Sequence, residues 1–191
     1  MGMAQEGRKR LTADDWAAAA LAALGDGGLA AVAVEPLATR LGATKGSFYW
    51  HFANRDALIQ AALARWEELH TEAVIVSVEE VPDPAERLRL LFGAVLGGAE
   101  RTRTEMALLA TADHSLVAPV LNRVTERRIG YIAKLFGDLG LPPEAARSRG
   151  LLAYSAYLGH AQLAHATPGV LPRGVEAKAY VDHVMGALLP R

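Results

Sequence analysis

Apolar residues recur along this chain every third or fourth position and nowhere sustain a strand-like alternation, a rhythm that admits helices and little else. The punctuation agrees with the rhythm. Thr12 followed by Asp15 has the form of a capping box. Trp16, Ala20, Leu21 and Leu24 then mark one face of a first helix, which stops at the glycine-rich residues 25–28. A second helix spans about Val34 to Leu41, with Leu37, Ala38 and Leu41 on one face, and Gly42 breaks it by tolerating a positive φ. Thr44 is placed to cap a third helix running to about Phe52. Asn54 is placed to cap a long fourth helix whose stripe is Leu58, Ala62, Trp66, Leu69 and Ala73.

Pro82 and Pro84 end that helix, and the rest of the chain reads the same way. Helices are expected over about 84–100, 104–112, 116–139, 143–166 and 175–189, with residues 167–174 as the clearest loop. The fold class is therefore all α. Residues 1–55 form an N-terminal three-helix unit, joined by the fourth helix to a larger helical body over 56–191. No cysteine is present, which excludes disulfides and thiolate metal sites and fits a cytoplasmic protein. No apolar run reaches the length of a membrane span, and the basic N-terminus lacks the apolar stretch of a secretory signal. The net charge of −1 requires any nucleic-acid footprint to be local.

Residues 48–52 place Phe48, Tyr49, Trp50, His51 and Phe52 in succession, and five large rings in a row cannot all face one core. Helix, glycine turn and short helix over residues 34–52 have the layout of a helix-turn-helix, whose second helix enters the major groove of DNA. Phe48 and Phe52, four apart, share a face and can pack with Trp16, Leu37 and Leu41. Tyr49, Trp50 and His51 are left outward. Lys45 can reach a guanine edge, Tyr49 and His51 can donate to phosphate, and Gly46 lets the helix backbone approach the bases. The candidate DNA-binding set is Thr44, Lys45, Gly46, Ser47, Tyr49, Trp50, His51 and Arg55.

Over roughly residues 10–65 the sequence resembles the tetracycline-repressor-type (TetR) regulators. Gly42, Lys45-Gly46, Tyr49, His51-Phe52 and Asn54-Arg55-Asp56 fall in register with that family's helix-turn-helix signature. The resemblance implies that Lys45, Gly46, Tyr49, Trp50 and His51 face DNA, that Arg55 contacts phosphate, and that the body binds a ligand. One departure is visible at the start of the second helix. The family usually carries Ser or Thr there, whereas this chain has Ala33, Val34 and Pro36. Residues 1–55 hold six basic and five acidic side chains, a weak positive field that predicts few phosphate contacts. Arg8-Lys9-Arg10 reads equally as a solvated tail or as an arm that touches DNA.

In the body, Trp66, Phe92, Met106, Tyr131, Tyr154 and Tyr157 are candidates to line a ligand cavity. Tyr154 and Tyr157 would supply hydrogen bonds, with Trp66 and Phe92 as apolar walls. No run of buried charge is evident, so an apolar or aromatic small molecule is expected. The small-residue face of residues 153–166, paired with the last helix, suits a two-fold four-helix interface. Its candidates are Ser155, Gly159, Gln162, Leu163, Tyr180, Val184 and Leu188. His160 and His165 are five apart, the wrong spacing for two ligands on one helix face, and no metal or other cofactor is expected.

No nucleophile motif or Gly-rich phosphate loop argues for an enzyme. The expected function is a ligand-responsive transcriptional regulator, a repressor, that binds a pseudo-palindromic double-stranded operator as a homodimer. The alternative is a DNA-binding protein of the same fold controlled by a protein partner.

Overall fold

A computed structural model describes residues 11–95 and 99–189, with backbone alone at 94, 95 and 99–101. The basic triplet Arg8-Lys9-Arg10 lies outside the described residues. The helices are α1 (Ala13–Gly27), α2 (Val34–Arg40), α3 (Lys45–Tyr49), α4 (Arg55–Glu67), α5 (Ala73–Glu79), α6 (Pro84–Val95), α7 (Ala99–Leu109), α8 (Ala118–Asp138), α9 (Pro143–Ala166) and α10 (Val175–Leu188). Short 3-10 turns cover Leu29–Ala31 and Pro168–Val170, and no strand occurs among the described residues.

Local chemistry sets the first boundaries. The capping box of α1 is complete: Asp15 N–H donates to Thr12 Oγ1 at 3.2 Å and Thr12 N–H to the Asp15 carboxylate at 2.7 Å. The helix runs on through Gly27 and ends at Gly28, whose φ of 66° only glycine adopts readily. Thr44 accepts from Ser47 N–H at 3.2 Å and Asn54 from Ala57 N–H at 2.9 Å, so α3 and α4 start where their caps predict. Ala33 offers α2 no side-chain cap. The third helix stops at Tyr49, three residues earlier than its sequence suggests.

Two apolar cores follow. In the first, Trp16, Leu24, Leu37, Phe48, Leu58, Ile59, Leu63 and Trp66 are essentially sealed from solvent, and Leu108, Val117 and Val124 of the body join them. The Trp16 ring meets Phe48 edge-on at 5.5 Å, and Phe48 stacks on Phe52 at 5.7 Å. The second core gathers Ile75, Leu88, Tyr131, Leu135, Phe136, Tyr154, Met185 and Leu188. Here α8 and α9 approach closely at Gly150, where a Cβ would lie 3.0 Å from both Ala133 N and Ile129 O.

One rod passes through both cores, and it is not a uniform helix. Between α4 and α5, residues Glu68–Glu72 form a π turn, in which the N–H of Ala73 donates to the carbonyl of Glu68. A π turn inserts one extra residue, so later side chains fall behind α-helical phase by about 100°. This corrects the expected stripe. Leu58, Ala62 and Trp66 are buried, but Leu69 is 43% exposed and Ala73 is exposed. The buried face continues instead through Thr71, Ile75 and Val78. Three arginines of α8 hold this turn. Arg123 pairs with Glu67, Arg127 with Glu72, and Arg128 donates to Thr71 Oγ1 at 3.0 Å and to the His70 carbonyl at 3.2 Å.

Candidate DNA-binding surface and ligand cavity

The short helix α3 and the turn that follows it divide their rings as the four-residue spacing requires. Phe48 and Phe52 point into the first core, at 0% and 8% exposure, while Tyr49 and Trp50 stand out at 57% and 85%. His51 is half-buried, its ring 6.5 Å from that of Phe52. Thr44, Lys45 and Gly46 are exposed and Ser47 is half-buried. A Cβ built on Gly46 would meet nothing nearer than Thr44 Oγ1 at 3.7 Å, so no packing within the chain demands glycine there.

The cations of this unit are turned to internal partners. Lys45 Nζ lies 2.8 Å from Glu35 Oε1 on α2, with both side chains well exposed. Their hydrogen bond, aided by the charges themselves, holds the Lys45 pKa above and the Glu35 pKa below the ordinary values. Arg40 faces Asp26 at 3.9 Å and Arg65 pairs with Asp14. Arg55 donates Nε to the Val32 carbonyl at 2.6 Å and a terminal nitrogen to the Leu29 carbonyl. It braces the 3-10 turn against the start of α4, and one terminal nitrogen remains for the phosphate contact that the family resemblance implies.

In the body, a half-open cavity of about 80 Å³ lies between the π turn, α5, α6, α8 and α9. Four of the six expected residues line it: Phe92, Tyr131, Tyr154 and Tyr157. Trp66 and Met106 do not. Trp66 is fully buried in the first core, with the Arg128 guanidinium 5.1 Å above its ring, and Met106 is half-buried on α7. The sequence reading missed the opposite wall, which is His70 and Thr71 of the π turn with Val74 and Ile75 of α5. It also missed Arg128. That residue lies three and four positions before Tyr131 and Ile132 on the apolar face of α8, and a cation there was the readable signal.

Behind the polar end of the cavity lies a buried ion pair, where the sequence showed no run of buried charge. Glu105 is 1% exposed and accepts from Arg128 Nη1 at 2.6 Å and from the Tyr157 hydroxyl at 2.5 Å. Burial opposes the charge on Arg128, but Glu105 and the Tyr154 and Tyr157 hydroxyls together outweigh it, and its pKa goes up. Burial, reinforced by the Glu105 carboxylate, pushes the Tyr157 hydroxyl far above its usual range. Burial also raises Tyr154. The network is internally neutral, and the other cavity walls are mainly apolar. A second space of about 20 Å³, room for about one water, shares Phe92 and Tyr157 and reaches His160 and Tyr180.

Of the proposed contact surface on α9 and α10, Ser155, Gly159, Gln162 and Leu163 are exposed, and Tyr180 is partly exposed with its ring stacked on His160 at 5.7 Å. Leu151 and Leu152 add apolar surface at 53% and 56% exposure. Val184 is half-buried. Leu188 is corrected: it is 4% exposed, packed inside the second core of its own chain. No cluster of three metal-ligating side chains occurs among the described residues, and no helix among them is long and apolar enough to cross a membrane.

Residues 17–62 match the family described as bacterial regulatory proteins, tetR family. Solved structures share the fold over nearly the whole chain. A transcriptional regulator from Rhodococcus sp. Rha1 is 22% identical with a TM-score of 0.76, over 93% of this chain and 94% of that one. AibR, in complex with isovaleryl coenzyme A and operator DNA, is 19% identical with a TM-score of 0.65, over 93% and 98%. The multidrug binding protein EbrR, complexed with imidazole, is 22% identical with a TM-score of 0.65, over 94% and 95%. No curated protein matches the chain.

Proposed function

We propose, from the match of residues 17–62 to the tetR family of bacterial regulatory proteins, that the chain is a homodimeric, cytoplasmic transcriptional repressor released from its operator by a neutral, apolar or aromatic small molecule. One observation carries the DNA-binding half. Tyr49 at the end of α3 and Trp50 just beyond it are strongly exposed, while the other face of that segment is locked into a core, beside an exposed glycine that no packing within the chain requires. In the major groove, Lys45 reads a base edge and Tyr49 and His51 take phosphate oxygens. Thr44, Ser47 and the remaining nitrogen of Arg55 flank them. Two copies joined through α9 and α10 would set two α3 helices about one DNA turn apart, which calls for a pseudo-palindromic operator.

The cavity supports the effector half. Arg128 is already matched by Glu105, so an anionic ligand finds no free charge there, while apolar walls favour a neutral one. The space is smaller than the roughly 150 Å³ that accommodates benzene in an engineered core. A ligand must therefore widen it, and the wall that carries His70, Thr71 and Ile75 belongs to the rod that begins at the DNA-binding unit. Widening moves that rod and the spacing of the two recognition helices, by no more than the ligand's differential affinity for the two states. The same small volume favours a second reading, control by a protein partner with the cavity closed.

Selection of bound duplexes from a random library, followed by anisotropy on the selected and a scrambled sequence, tests the DNA-binding half. A palindromic site should emerge, and Lys45→Ala should reduce its discrimination by about 1–3 kcal/mol. Enrichment of no sequence would sink it. A thermal-shift series of matched neutral and anionic aromatics tests the effector half, with benzyl alcohol and benzoate as the first pair. Stabilisation by the neutral member, with weakened operator binding, is expected. Stabilisation by the anion overturns the charge argument.

A further inference from the structure

Among described residues 11–66 there are four cations and five carboxylates, and every one of the four cations has a partner inside the protein. The described part of a domain that must approach a polyanion thus matches each of its positive charges with a partner of its own. The pair that matters most is Lys45 with Glu35. Lys45 opens the recognition helix, and Glu35, in the first turn of α2, holds it at 2.8 Å with 73% of its own side chain exposed.

We propose that Glu35 is a specificity-setting residue: its carboxylate occupies Lys45 in the free protein and suppresses binding to DNA that lacks the operator sequence. This rests on the DNA-binding reading above. A phosphate reaching for Lys45 must displace the carboxylate and then sit beside it, like charge against like. Random sequence offers Lys45 only that exchange of one anion for another, which yields little. An operator base offers a directed hydrogen bond in a partly dehydrated groove, and there the exchange is favourable. Glu35 therefore weakens non-specific binding more than specific binding. Selectivity is gained by a penalty on the wrong partner rather than by a further contact to the right one.

The experiment needs two duplexes, random and selected, and a salt titration from about 50 to 200 mM. Glu35→Gln should tighten binding to the random duplex by up to about fivefold. It should also steepen the salt dependence by about 0.9 in log–log slope, the signature of one further phosphate contact. Binding to the selected duplex should change less, so the ratio between the two falls. In a Lys45→Gln background, Glu35→Gln should leave the slope unchanged. A carboxylate that only supports the start of α2 would instead lower the melting temperature on substitution without altering the slope, and that result overturns the proposal. So does an equal change of slope with and without Lys45. If the wild-type protein shows no salt-dependent binding to either duplex, the DNA-binding reading itself has failed, and the inference with it.

Discussion

Arg128 has partners on several elements of the body. It touches Thr71, the His70 carbonyl, Glu105 and the face of Trp66, and so links the cavity to the helix that carries the DNA-binding unit. A buried pair of this kind is costly to break from one side, because the remaining charge stays desolvated. Glu105→Leu alone should lower unfolding stability by about 3–5 kcal/mol, measured by urea denaturation. Arg128→Met combined with Glu105→Leu should recover much of that loss, and a double variant as unstable as the sum of the singles would show that the pair is not acting as a unit. The inward and outward division of the rings at 48–52 was legible in the sequence, because it depends on a spacing of four, which the bond from Phe52 N–H to the Phe48 carbonyl carries past the end of α3. The Arg128–Glu105 pair was not: its members lie on different helices 23 residues apart, and only the packing of α7 against α9 and of α8 against α9 brings them together.

At the level of helices, α8 and α9 share the most extensive contact among the described residues, and Gly150 lets them approach closely. The atoms that a Cβ there would meet are mainly backbone, Ala133 N and Ile129 O, which cannot turn aside as a flexible side chain can. Gly150→Ala should therefore force the helices apart at a cost of about 1–3 kcal/mol despite its better helix propensity. A melting temperature equal to or above that of the wild type would show that the contact relaxes freely. The caps at Thr12, Thr44 and Asn54 could be read in advance, since each lies within three residues of its partner. The phase of the rod beyond Trp66 could not. A stripe counted at 3.6 residues per turn assumes unbroken α-helix, and the π turn is held by arginines of α8, more than fifty residues further along the chain.

For the molecule as a whole, the small-residue face of α9 is the clearest surface on which two copies could join. A Cβ at Gly159 would meet nothing in its own chain, so Gly159→Arg should leave the monomer fold intact. In a close two-fold contact the same arginine meets its own symmetry mate, and sedimentation should show a monomer. Operator affinity should then drop steeply, since two linked half-site contacts become one. A full-strength Gly159→Arg dimer would move the interface elsewhere on the body. The all-helical layout was legible across the whole chain, because it needs only the period of apolar residues. Leu188 was placed on the wrong side of α10, because the apolar face that closes a chain's own core and the face that meets a second copy look alike in sequence.

The π turn has a consequence for how this chain tolerates change in length. Residues 68–72 hold one residue more than a straight α-helix would need between Trp66 and Ile75. Removing any one of them would regularise the helix locally. It would also rotate everything beyond by about 100° relative to Trp66, carrying Ile75 and Val78 out of the second core. A single deletion here, which improves the local hydrogen bonding, should therefore be worse tolerated than most substitutions at the same positions. The surplus residue keeps the DNA-binding half and the cavity half of the rod each facing its own core.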